Sequence, residues 1–400
     1  MFLEKVFFMS TLKTELEDME LLFPDFKNSN MEVFNEFAIG NGKLIGKVDK
    51  SILLLIDGLG FDLLNEVIEK DHLLSKAFNE AKINKISTVF PSYTPTVITT
   101  LESGLFVGEH GIVGSPIPVR EYGEMVNVFE KGWGVTEREL STPDTYTLFP
   151  EMKNVEKLGK KSGFSYLQDE MVFKKNSNIL DFKKLGGKFK EYISQRDFFI
   201  QLRKLIRDKN STSVYGYLDK IDHAQHVYSK SSAEAKELMK YLLEDIVTHL
   251  LPEIKEHGWS LFITADHGHV SFKKEHVSMI YGTDKLVSYM NTAPWGCSRA
   301  TFVSVIPEME NKFTEELDRR FKGRYILLNS EDTIKEGLFG NRGVPDRLRY
   351  RFGSHIIIPT DNNYFIYKYP YQKEKDRELF GSHGGMSREE MEIPLIKFTE

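Results

Sequence analysis

Five short apolar runs organise the sequence: "SILLLIDGLG" (51–60), "KISTVFPS" (85–92), "STSVYGYLDK" (211–220), "WSLFITADHG" (259–268) and "SHIIIPTD" (354–361). By length and by β-branched and aromatic content, each reads as a buried strand. Long amphipathic stretches such as "SAEAKELMKYLLEDIVTHLLPEI" (232–254) lie between them and read as helices. That alternation predicts an α/β fold with a mainly parallel sheet flanked by helices. In open α/β sheets, ligands bind at the carboxyl ends of the strands, so chemistry-bearing residues are sought there.

With 400 residues, 40% of them hydrophobic, the chain can build one large domain with insertions or two of ordinary size. We expect a single catalytic domain over 46–400, preceded by an N-terminal arm over 1–45. Two stretches break the α/β rhythm and read as insertions. Residues at about 116–200 show no clear period, and about 270–352 reads as a smaller α+β cap containing "RATFVSVIP", "ENKFTEELDRRF" and "GRYILLN". Net charge is -6 with basic residues scattered, which argues against a nucleic-acid duplex as partner.

The single cysteine, Cys297, can form neither an internal disulfide nor a thiolate metal cluster, so any metal site must use His and carboxylates. The first apolar patch is interrupted by Glu4 and Lys5, and no run approaches membrane-spanning length. A soluble, cytoplasmic protein acting on a small molecule, with no membrane partner, is expected.

One stretch is unusual for its hydroxyls: "FPSYTPTVITTLESGLFVGEHGIVG" (90–114) carries Ser92, Tyr93, Thr94, Thr96, Thr99 and Thr100 among apolar residues. Pro95 near a helix start and Gly104 just past its end bracket a helix and make Thr94 its expected N-cap. A helix start offers unpaired N–H groups and partial positive charge, which favour an anion such as phosphate. Thr99 and Thr100 are expected to pack the helix.

Acidic and histidine residues recur where strands should end. Asp57 follows "SILLLI", Asp266 and His267 follow "LFITA", Asp222 and His226 stand in "YLDKIDHAQH", and His383 lies between glycines in "GSHGGMS". Asp and His without Cys suit a hard-to-borderline dication such as zinc or manganese, and the number of ligands suffices for two ions. Asp219, His223 and His269 neighbour these motifs without a matching spacing, and are expected to lie outside the ligand set or at the surface.

Taken in order, "LLLIDGLG", the hydroxyl-rich stretch, "YLDKIDHAQH", "FITADHG" and "GSHGGMSREEMEIPLI" resemble the alkaline phosphatase superfamily, and within it the type I nucleotide pyrophosphatase/phosphodiesterase family. The resemblance implies an alkaline-phosphatase-like core and a hydrolase cleaving phosphodiester or pyrophosphate bonds of nucleotide-like substrates. It also implies Thr94 as nucleophile, forming a phosphothreonine-type intermediate at a site with two divalent ions, zinc or manganese. One ion would be held by Asp57, Thr94, Asp266 and His267, the other by Asp222, His226 and His383. His110 matches the family as a structural residue.

Where other members resemble "HGIVNN", this chain reads "HGIVGSP", placing Ser115 at the position of an Asn that donates to phosphate. Serine donates one hydrogen bond and reaches less far. A phosphomonoesterase with the same metal site is the rival enzyme reading, and a catalytically silent binding module the rival outside enzymes. The second is disfavoured because the nucleophile and all six other ligand candidates are present.

Overall fold

A computed structural model describes residues 12–128, 150–169, 188–369 and 379–399. The first part of the expected arm, 1–11, and two stretches of the expected insertion at 116–200, 129–149 and 170–187, lie outside the described residues.

The core is a seven-stranded sheet. Its order from edge to edge is Lys82–Ser87, Glu392–Phe398, Ser260–Thr264, Ser51–Ile56, Ser213–Leu218, Phe164–Asp169 and Lys188–Tyr192. Glu392–Phe398 runs antiparallel to both of its neighbours; the pairings beyond it are parallel. Central strands such as Ser51–Ile56 and Ser213–Leu218 are buried at every position, as strands covered by helices on both faces must be. This mainly parallel α/β architecture agrees with the class read from the sequence.

Three of the five apolar runs form adjacent central strands, and Lys82–Ser87 lies at an edge of the same sheet. The fifth corrects the expectation: "SHIIIPTD" supplies His355–Pro359, which belongs to a separate four-stranded antiparallel sheet with Trp295–Cys297, Ala300–Val303 and Tyr325–Asn329. The helix Glu310–Phe321 closes a second small core over it through Phe313, Leu317 and Phe321. A run buried on both faces cannot report which of two sheets it joins.

The stretch 232–254 also departs from one regular helix. It runs Ala233–Asp245, widens into a π turn at Ile246–Leu250, and resumes as Leu251–His257. Pro252 explains the widening, because in a regular helix its ring would meet the carbonyl four residues earlier.

Near the chain start, Asn30–Ile39 is capped by Ser29, whose hydroxyl accepts from the Glu32 N–H. It buries Phe34 and Phe37, with Phe34 edge-on to Tyr215 at 5.0 Å between centroids. Asn30 Nδ2 donates to the carbonyls of Ala265 (3.1 Å) and Asp266 (3.2 Å), so this helix grips the end of the strand Ser260–Thr264.

Candidate active site

Asp266, Asp57 and Asp222 emerge from the carboxyl ends of three neighbouring parallel strands, Ser260–Thr264, Ser51–Ile56 and Ser213–Leu218. The last two connections are tied together: Asp57 N–H donates to Leu218 O (2.8 Å) and Asp222 N–H to Asp57 O (3.1 Å). Gly58 sits at φ +75° between them, and a Cβ there would come within 2.9 Å of the Asp222 Cα. Only glycine fits a left-handed turn at that separation.

Thr94 opens the helix Thr94–Ser103, with Tyr93 as the N-cap residue and Gly104 left-handed at its end. This corrects the expected role of Thr94 as the cap. Its hydroxyl does not bond its own helix but lies 3.0 Å from His267 Nε2. The remaining hydroxyls go elsewhere. Thr99 Oγ1 donates to Pro95 O (2.6 Å), Thr100 Oγ1 to Thr96 O (3.0 Å) and Ser92 Oγ to Gly385 O (2.8 Å). His110 Nδ1 accepts from Ile112 N–H (3.0 Å), so its Nε2 carries the proton and donates to Thr100 Oγ1 (2.9 Å). Burial lowers His110 to a pKa of about 3, keeping it neutral.

His267 Nδ1 bonds Gly268 O at 3.0 Å, which places its proton there and leaves Nε2 bare. That bare nitrogen faces Asp266 Oδ2 (3.2 Å), Asp57 Oδ1 (3.4 Å) and Thr94 Oγ1 (3.0 Å). Neither carboxylate oxygen makes a hydrogen bond among the described residues, and both are buried. Burial first, then the neighbouring carboxylates, push Asp57 well above the usual carboxylate range, and burial raises Asp266. Each unsatisfied buried oxygen costs roughly 1–3 kcal/mol or more. A dication at their centre would remove that cost, and donor separations of 3.0–3.4 Å approximate the edge, about 3.3 Å, of a tetrahedron with metal–ligand bonds near 2.0–2.1 Å. The donors therefore fit a metal.

A second cluster adjoins it, formed by Asp222, His226, His269 and His383. Asp222 Oδ1 is 3.4 Å from His226 Nε2, 3.5 Å from His383 Nε2 and 2.9 Å from His269 Nε2. His226 Nδ1 bonds Gly381 O (2.8 Å) and His383 Nδ1 bonds Ser92 O (3.1 Å), so both present bare Nε2 atoms inward. His383 also stacks on His267 at 3.5 Å between ring centroids, joining the two clusters.

Two residues here need comment. Of the two places expected for His269, outside the ligand set or at the surface, burial excludes the surface, and its ring is pressed against Asp222. Burial lowers its pKa to about 4. Tyr217 donates its hydroxyl to Asp57 Oδ2 from the strand Ser213–Leu218. Its only signal was an aromatic hydroxyl in a run otherwise fit for a core. His223 is exposed, and Asp219 precedes the helix Lys220–Tyr228 with Lys220 Nζ 3.0 Å away.

Ser115 stands apart from both clusters' hydrogen bonds. Its hydroxyl donates to Asn127 Oδ1 (2.7 Å) and accepts from Val128 N–H (2.9 Å). It lines a cavity of about 610 Å³ that also includes Cys297, Phe272, Tyr364 and Phe380. The cavity adjoins the second cluster: Cys297 Sγ lies 3.8 Å from Gly384 O, and Phe380 N–H donates to His226 O.

The parallel sheet gathers Asp and His donors on its carboxyl edge, where open α/β sheets bind their ligands. Residues 51–386 match the type I phosphodiesterase / nucleotide pyrophosphatase family, and the chain belongs to it. Among solved structures, it is similar to murine ectonucleotide pyrophosphatase / phosphodiesterase 5, with TM-score 0.61 and 15% identity over 87% of each chain. The same murine protein, as an inactive threonine-to-alanine variant in complex with AMP, gives TM-score 0.60 and 14% identity over 87% of each chain. Phosphonoacetate hydrolase from Sinorhizobium meliloti 1021, in complex with phosphonoacetate, gives 0.59 and 17% over 89% of this chain and 92% of that one. No curated protein sequence matches the chain significantly. The family is metal-dependent, and among the described residues two groups, Asp222, His226, His269 and His383, and Asp57, Asp222 and His267, bring donors close enough to hold a metal. Among the described residues, no helix is long and apolar enough to cross a membrane.

Proposed function

We propose that the protein hydrolyses phosphodiester or pyrophosphate bonds of small nucleotide-like molecules at a site for two divalent ions, zinc or manganese, with Thr94 as nucleophile. Asp57, Thr94, Asp266 and His267 would hold one ion, and Asp222, His226 and His383 the other. When bound, the ions supply positive charge that makes a hydroxyl acidic near neutral pH and offsets charge building on phosphoryl oxygens.

The observation that carries this reading is the position of Thr94 Oγ1, 3.0 Å from His267 Nε2 at the mouth of a helix. From there it attacks phosphorus, giving up its proton to solvent; the leaving oxygen departs in line and takes a proton from water, and a further water then cleaves the phosphothreonine ester to restore the hydroxyl. The N–H groups of Thr94 and Thr96 precede the first intrahelical bond, Val97 N–H to Tyr93 O at 3.0 Å, and face the end where non-bridging oxygens would lie. A cavity of about 610 Å³ suits a ligand of nucleotide size, and the murine structural neighbour is described in complex with AMP.

Thr94→Ala and Thr94→Ser test the nucleophile. The serine variant should retain kcat within about tenfold, because the attacking hydroxyl survives. The alanine variant should lose more than about a thousandfold in kcat at an unchanged melting temperature, since Thr94 caps no helix. Acid-quenched wild type should yield a phosphorylated or nucleotidylated Thr94 peptide. A folded Thr94→Ala enzyme at near wild-type rate would end the proposal.

One observation favours the phosphomonoesterase reading: the hydroxyl of Ser115 is engaged by Asn127 and Val128. The ratio of kcat/KM for bis-p-nitrophenyl phosphate and p-nitrophenyl phosphate decides between them, the diester being expected to win.

A further inference from the structure

Three imidazole Nε2 atoms surround the same oxygen, Asp222 Oδ1, and their opposite nitrogens set them apart. A histidine that ligates through Nε2 must carry its proton on Nδ1, and a carbonyl accepting that proton holds the tautomer. His226 has such a carbonyl in Gly381, and His383 has one in Ser92. His267, in the first cluster, has one in Gly268. Among the described residues His269 has none: its Nδ1 is buried without a hydrogen-bond partner there, and the backbone of Gly381 closes over it.

The distances divide in the same way. His226 and His383 stand 3.4 and 3.5 Å from Asp222 Oδ1, near the spacing of two ligands on one ion. His269 stands at 2.9 Å, the length of an N–H···O hydrogen bond.

We infer that His269 is a positioning residue, not a metal ligand: protonated on Nε2, it donates to Asp222 Oδ1 and fixes the carboxylate that the second ion would share with His226 and His383. This rests on the two-ion reading above. The donated bond occupies one lone pair of Oδ1, directs the carboxylate to bind through a single oxygen, and withdraws charge from it. Its partner strand is short: Val270–Ser271 pairs with Gly381–Ser382, so the segments bearing His269 and His383 are stitched together beside Asp222.

The test uses metal-free and metal-loaded full-length protein. In ¹⁵N-edited NMR of the wild type, the His269 ring proton should reside on Nε2 and stay there when zinc is added, while the His226 and His383 Nε2 signals move. A His269 Nε2 resonance that loses its proton and shifts on zinc addition would make it a fourth ligand and overturn the assignment. His269→Ala should weaken the second ion about 10–100-fold in chelator competition, leaving the first unchanged, and His269→Gln, which keeps a donor, should recover much of that loss. Unchanged affinity in a folded His269→Ala protein would equally overturn it; if that variant fails to fold, the wild-type spectra decide alone. Wild-type protein that binds no more than one zinc would instead defeat the two-ion reading, while the metal-free spectrum would still report where the His269 proton lies.

Discussion

Arg299 and Glu390 form a buried bidentate ion pair, Nε to Oε1 at 3.0 Å and Nη2 to Oε2 at 2.7 Å, with both side chains 1% exposed or less. Glu390 also accepts from the N–H groups of Gly385 (2.8 Å) and Ser387 (3.2 Å), and Arg299 donates to the carbonyls of Asp361 and Asn363. The pair therefore ties the antiparallel cap to the loop that carries His383.

Breaking this pair by Arg299→Met leaves a buried carboxylate without its cation, a loss of about 3–5 kcal/mol. Burial raises the Glu390 carboxyl, but Arg299 and the surrounding donors outweigh it and hold it below its ordinary value. A depressed carboxylate contributes stability above its unfolded-state pKa and loses it as pH falls through the folded value. The melting-temperature gap between wild type and Arg299→Met should accordingly be widest near neutrality and shrink in acid. A gap independent of pH would contradict this account.

Metal removal should have the opposite pH signature. In the metal-free protein, Asp57 and Asp266 lie above the usual carboxylate range, so the folded state holds protons that the unfolded state has released. The stability these two groups contribute is fully present below pH ~4 and is lost as pH rises through their folded pKa values. Loaded protein should exceed chelated protein by about 2.7 kcal/mol at a hundredfold excess of metal over Kd. Thermal melts of both forms from pH 5 to 8 should show the difference growing with pH.

Glu102 offers a third test away from the reaction. It is fully buried on the helix that begins at Thr94, and neither carboxylate oxygen has a hydrogen-bond partner among the described residues. Burial raises its pKa well above the ordinary value, so this group penalises folding increasingly as pH rises. Glu102→Gln should melt about 1–3 °C higher than wild type at pH 8, with the advantage vanishing near pH 4. Equal melting at both pH values would mean that the carboxyl is satisfied in solution.

The sheet was legible where burial on both faces writes a continuous apolar run, as at Ser51–Ile56 and Ser260–Thr264. Lys188–Tyr192 escaped because an edge strand reading "KFKEY" is mostly exposed and carries charges. Glu392–Phe398 hid behind Pro394, a residue that ordinarily demotes a run from the interior of a sheet. In the site, Asp57 and Asp266 were found because a strand end forces them onto the binding edge. His269 was named but left between an interior place and the surface, since its contact with Asp222 spans 47 positions, which no local spacing encodes.

The strand Glu392–Phe398 fills the gap between Ser260–Thr264 and Lys82–Ser87, which it joins by pairing residues about three hundred positions apart. During synthesis, Lys82–Ser87 must wait for that partner, on the order of 15–60 s at ~5–20 residues per second. Throughout that interval it presents an unpaired edge, the kind of surface that recruits foreign strands. Its own residues meet the hazard: "KINKIS" places Lys82 and Lys85 among its apolar positions, charges that discourage pairing with anything but the intended strand. His383 is made only just before that strand, so the donor set cannot be assembled while the edge still waits. Vulnerability to aggregation and competence to capture metal thus end at nearly the same moment in the life of the nascent chain.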